Sequence, residues 1–137
     1  MQAERFLRYF LRWVGAVAAL AAFCVAMPYS WMNAAHQWLG MGALSDQPVV
    51  GYLARSTSAF YAILGGLFWA LSFDLRRHRP VLRYVGSASV LLGVALFAVD
   101  RLEGLPAFWQ ATEGPIDVGI GIAILWLAGR VPEPGAG

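Results

Sequence analysis

The chain has 137 residues, enough for one domain, and is 59% hydrophobic but only 13% charged, about half the charged share of a soluble globular protein. That imbalance excludes an ordinary water-soluble fold, and a formal net charge of +2 is too small to point to nucleic acid. The 10 basic residues are all arginine and Ala, Gly and Pro are abundant, the usage of a G and C rich genome and hence of a bacterial source. Cys24 is the single cysteine, so no intrachain disulfide or thiol pair is available.

Taken in chain order, Arg5, Arg8 and Arg12 precede a charge-free run from Trp13 through Met27, and a first membrane span is expected over about 9–28. A rival reading makes this segment a cleaved signal peptide, with Cys24-Val25-Ala26 imitating the cleavage site. A lipoprotein site at Cys24 is disfavoured because Phe23 stands where a small residue is wanted. Next, Ser30 is placed to cap a short helix from Trp31 to Leu39 that ends at Gly40. Trp31, Ala35, Trp38 and Leu39 share one side of it and Asn33, His36 and Gln37 mostly the other, the pattern of a helix lying in the outer interface.

The charge-free run Ser56–Phe73 predicts a second span over about 54–73, followed by a basic turn, Arg76-Arg77-His78-Arg79, before Pro80. Asp74 is the expected local counter-charge of that turn. A third span is expected over about 82–101, with Asp100 near its outer end. The fourth, over about 115–130, needs Pro115 to Asp117 as its first turn and a snorkelling Arg130 to reach the length of a span. Residues 131–137 read as a short flexible tail, leaving a single membrane domain over 1–130.

With the N-terminus inside, Arg5, Arg8, Arg12, Arg76, Arg77, Arg79, Arg83 and Arg130 lie on the cytoplasmic side and only Arg55 and Arg101 outside. The positive-inside rule therefore puts both termini in the cytoplasm, in a bacterial inner membrane, and belts of Tyr and Trp mark the same two interfaces. Small residues recur at helical spacing in every span: Gly15 and Ala19, Ala62 and Gly65, Gly86 and Gly93, Gly121 and Ala128. In lipid such faces let backbones approach. The expected fold is all-α, an integral membrane antiparallel four-helix bundle with a short interfacial helix in its first outer loop.

Arg55, Asp100 and Asp117 fall at similar depth near the outer ends of three spans and are read as a polar layer, a ligand or proton site or else a structural ion pair, which His36 from the loop above can join. Asp117, in the first turn after Pro115, would oppose the helix dipole favourably. Arg76, Arg77 and Arg79 are read as contacts to anionic lipid at the inner face, a role that also serves as a topology signal. Both histidines fall in connections, which disfavours a haem held inside the bundle, and no HExxH or GxxxxGKS motif is present. No cofactor, metal or catalytic residue is assigned.

The four short spans, the segment Tyr52-Leu53-Ala54-Arg55-Ser56-Thr57-Ser58 before a small-residue-rich helix, and the turn Ser72-Phe73-Asp74-Leu75-Arg76-Arg77 together resemble the DoxX-like group of small bacterial membrane proteins. They are also similar to four-span proteins of bacteria such as planctomycetes, from which no activity carries over. The DoxX resemblance implies a quinone-linked redox subunit, although no residue here matches a quinone site. The residues themselves point first to a noncatalytic accessory or interaction subunit of a membrane complex or homo-oligomer. Small-solute binding or transport through the polar layer is the alternative.

Overall fold

A computed structural model describes residues 2–132. Among these the chain is all-helical, with five helices of ten residues or more and one four-residue turn of helix. The elements are α1 (Gln2–Ala19), α2 (Ala22–Val25), α3 (Tyr29–Trp38), α4 (Pro48–Leu71), α5 (Arg79–Leu102) and α6 (Ala107–Ala128). Three stretches are long and apolar enough to cross a membrane: Gln2–Val25, Arg79–Leu102 and Ala107–Ala128. The span expected over 54–73 falls in α4, which has 24 residues. Arg55, Ser56, Thr57 and Ser58 lie within that helix, and it is not one of the three.

The chain divides into two compact units, Met1–Phe10 with Leu71–Gly137, and Leu11–Ala70. The first is organised by the antiparallel pair α5 and α6. A Cβ added at Gly93 would lie 2.5 Å from the Gly114 carbonyl oxygen, and one at Gly121 would lie 2.6 Å from that of Gly86. Gly86 thus faces Gly121 and Gly93 faces Gly114, seven residues apart on both helices. A spacing of seven repeats the contact every two turns at 3.5 residues per turn, as in left-handed coiled-coil packing. Leu7, Leu75, Leu82, Ile124, Val131 and Ser72 are the large side chains of this unit that are fully buried. Val131 is thereby part of the core although it opens the stretch read as a tail; residues from 133 onward lie outside the described ones.

Two helix starts change the role expected of a residue. The fourth span does not begin at Pro115: α6 starts at Ala107 behind Pro106, and Pro115 lies inside it. Both prolines satisfy the local signal for a helix start, but starting at Pro106 adds two turns whose amides are bonded within the helix, the condition that lipid imposes on a backbone. Asp117 consequently sits in mid-helix, without the dipole benefit expected of a first turn. Similarly, α3 starts at Tyr29 with Pro28 at its N-cap and no side-chain cap, so Ser30 lies inside the first turn and does not cap it.

In the second unit α1 meets α4 by the same device. A Cβ added at Gly65 would stand 2.5 Å from the Gly15 carbonyl oxygen and 2.6 Å from the Ala19 nitrogen, and Leu11, Val14 and Phe68 are buried. Beyond Ala19 the chain tightens, with Ala21 N–H bonding Ala18 O and Cys24 N–H bonding Ala21 O. These bonds to the third residue back keep the backbone satisfied across the break between α1 and α2.

Adjacent glycines of α4 provide an internal comparison, because a Cβ at Gly66 would meet nothing within 4 Å. Gly65→Ala should destabilise the fold by about 1–3 kcal/mol through overpacking, whereas Gly66→Ala should be neutral or slightly stabilising. Denaturation followed by circular dichroism in one detergent checks both.

Candidate functional site

The polar residues singled out from the sequence are spread over both units. Arg55 and His36 belong to the second unit and Asp100 and Asp117 to the first.

His36 is held by the fold of its own connection. α3 ends at Gly40, whose φ of 76° is the left-handed conformation glycine adopts without a Cβ penalty. Gly40 N–H bonds Gln37 O, and Met41 N–H bonds His36 O, the two bonds of a Schellman motif. The chain then turns back along one face of α3. Tyr29 Oη donates to Leu44 O at 2.7 Å, Leu44 N–H donates to Asn33 Oδ1 at 2.8 Å, and His36 Nδ1 pairs with Gly42 O at 2.9 Å. Tyr29, Asn33 and His36 are four and three residues apart, so one helical face holds the returning loop. Arg55 serves the same unit by donating from Nη2 to Met27 O at 3.2 Å.

At one end of the first unit α5 closes with a second Schellman motif. Gly104, with φ 68°, donates to Arg101 O and Leu105 donates to Asp100 O. Asp100 is only 2% exposed, and its Oδ2 has no hydrogen-bond partner. A carboxylate there faces the negative end of the helix dipole, so its burial opposes rather than aids stability. On α6, Trp109 Nε1 donates to Glu113 Oε2 at 2.6 Å, and Asp117 follows one turn later, half-buried. Gln110 Nε2 donates to Leu105 O at 2.6 Å, fastening the short α5–α6 loop to the start of α6.

The opposite end of the first unit is basic. It holds Arg5, Arg8, Arg76, Arg77, Arg79, Arg83 and Arg130 against Glu4 and Asp74 among the described residues. Glu4 lies 3.8 Å from Arg8 and 3.4 Å from Arg76. Asp74 Oδ1 accepts from the Arg77 backbone N–H at 3.1 Å, so it closes the turn that presents Arg76 and Arg77, both of which are exposed. Arg79 opens α5 and is half-buried. Arg130 stacks its guanidinium over the Trp126 ring, 3.4 Å from the centroid.

The sequence reading missed Gly114, and it missed the partners of Tyr29, Asn33 and Trp126. Gly114 was legible, since its separation from Gly121 repeats that of Gly86 from Gly93. The other three act through partners distant in the chain or through a ring face, for which residue spacing carries no signal. Among the described residues no group of three or more His, Cys, Asp or Glu side chains is arranged to hold a metal ion.

Desolvation first, and then the Asp46 carboxylate, raise the Tyr29 phenol above its ordinary value of 10.0. The neutral phenol is the form that donates to Leu44, so its contribution to the loop is complete below the unfolded value and is lost as pH rises through the raised one. In an ultraviolet titration, the difference between the wild type and Tyr29→Phe should ionise later than an exposed tyrosine. A scan of family models and searches of curated proteins and solved structures return no match to this chain.

Proposed function

We propose that this chain is a multi-pass protein of the bacterial inner membrane, with four helices crossing the bilayer and both ends in the cytoplasm, and that it works by associating with other membrane helices rather than by catalysis. α4 serves as the fourth span. Its 24 residues reach roughly 36 Å at 1.5 Å per residue, more than the about 30 Å of hydrocarbon, and Arg55 is bonded near its outer end. The arginine end of the first unit supports the cytoplasmic assignment of the termini.

The observation that carries association is a pair of unfilled glycines. Gly66 on α4 and Gly119 on α6 are exposed, and a Cβ at either would meet nothing within 4 Å. Glycine weakens a helix by about 1 kcal/mol relative to alanine, and in lipid its return is the close approach of another backbone. Only 17%, 22% and 28% of the most apolar stretches of the three apolar helices is buried within the chain, leaving ample surface for a partner subunit or a second copy. Gly119→Leu and Gly66→Leu should therefore reduce recovery of the native complex from mild detergent at least about tenfold, the loss expected for about 1.4 kcal/mol of helix packing, with unchanged helicity. Recovery at wild-type level with both substitutions in place would refute association through these faces.

A second reading, small-solute binding or transport, is favoured by Asp100, a buried acid with an oxygen left unbonded. Buried charge kept at a cost to stability marks function more often than structure in a membrane. On this reading Asp100→Asn should stabilise the protein by about 1 kcal/mol or more while abolishing solute uptake into proteoliposomes. Loss of stability instead would make Asp100 a structural residue. The quinone-linked redox reading rests on the DoxX-like resemblance alone, and quinone in an organic extract of the purified protein is the observation it requires.

A further inference from the structure

Where α1 begins and α6 ends, the first unit has an open groove of about 500 Å³ lined by Gln2, Ala3, Phe6, Trp126, Leu127 and Arg130. We infer that this groove holds one anionic phospholipid of the inner leaflet, its acyl chain along Phe6 and Trp126 and its phosphate at Arg130 and the first turn of α1.

The walls are apolar and bare: Phe6 is 61% exposed and Trp126 59%, a combination suited to a hydrocarbon chain. The mouth is cationic. The Arg130 guanidinium carbon lies over the Trp126 ring, 3.4 Å from its centroid, and a guanidinium held on an aromatic face keeps N–H donors for a pair of phosphate oxygens. No acid among the described residues pairs with Arg130, since Glu4 is shared between Arg8 and Arg76 and Asp74 is bonded to the Arg77 backbone. Gln2 and Ala3 belong to the first turn of α1, whose amides have no partners within the helix and favour an anion.

The charge of the surroundings decides between a zwitterionic and an anionic occupant. Arginines outnumber acids at this end of the unit by a wide margin, and each arginine near an anionic leaflet adds about 1 kcal/mol of attraction. That field draws anionic lipid to the whole end, but the groove adds a place for a chain beside a fixed cation. This site is distinct from the exposed Arg76 and Arg77 of the α4–α5 turn, which do not line the groove. The inference rests on the reading that the chain lies in a bilayer.

The test is native mass spectrometry of the full chain from nanodiscs made of equal phosphatidylglycerol and phosphatidylcholine. The wild type should retain one phosphatidylglycerol in preference to phosphatidylcholine. Arg130→Gln should lower that retention at least about five-fold, the equivalent of one arginine's attraction. Trp126→Leu, checked for unchanged helicity, should lower it as well. Arg83→Gln removes an exposed charge from the same end without touching the groove and should leave retention within about two-fold. Equal losses in Arg130→Gln and Arg83→Gln would reduce the effect to general attraction and overturn the site, as would equal retention of the two lipids. A chain recovered water-soluble without lipid or detergent would instead overturn the membrane reading, and the site with it.

Discussion

Backbone-to-backbone packing at glycine is the constraint on which the rest of this molecule depends. In a bilayer, apolar side chains gain little by leaving lipid for one another, so helices associate where their surfaces allow close contact over several turns. The Gly86·Gly121 and Gly93·Gly114 contacts provide this for α5 and α6, and the Gly15·Gly65 contact does so for α1 and α4. Each pairing sets a register. That register in turn determines which residues stand at the helix ends, where the ionisable groups are.

The ends themselves are closed by local hydrogen bonding. Gly40 and Gly104 turn the chain sharply at the ends of α3 and α5, and their Schellman bonds satisfy carbonyls that a helix terminus leaves open. In the first connection the loop is then held by Tyr29, Asn33 and His36. Through its Nδ1, paired with the Gly42 carbonyl, His36 is held against the returning loop. Asp100 is the contrasting case, enclosed by the same kind of helix end and yet with an oxygen left unbonded. A polar group that packing buries without bonding is where a functional reading gains physical weight.

Charge is distributed along the first unit as unevenly as polarity is. At its basic end Arg130 lies over Trp126 beside an apolar groove, whereas the other end carries Asp100, Glu103 and Glu113 with Arg101. The two ends of the unit therefore differ in the sign of the field they present to their surroundings.

The sequence by itself determined what is local. Charge-free runs, helical spacing of small residues, and Gly40 as a helix stop are set by contacts within a few residues, so the helical class and most of the helices could be read directly. Choices between competing local signals were left to tertiary structure. Pro106 and Pro115 each look like a helix start, and only the α5–α6 pairing, which needs Gly114 inside the helix to meet Gly93, selects the earlier one and moves Asp117 to mid-helix. The partners of Tyr29, Asn33 and His36 depend on a loop returning over its own helix, and the groove at Phe6 and Trp126 depends on two chain ends meeting. Contacts between segments far apart in the chain follow from register and shape, which no spacing within one segment encodes.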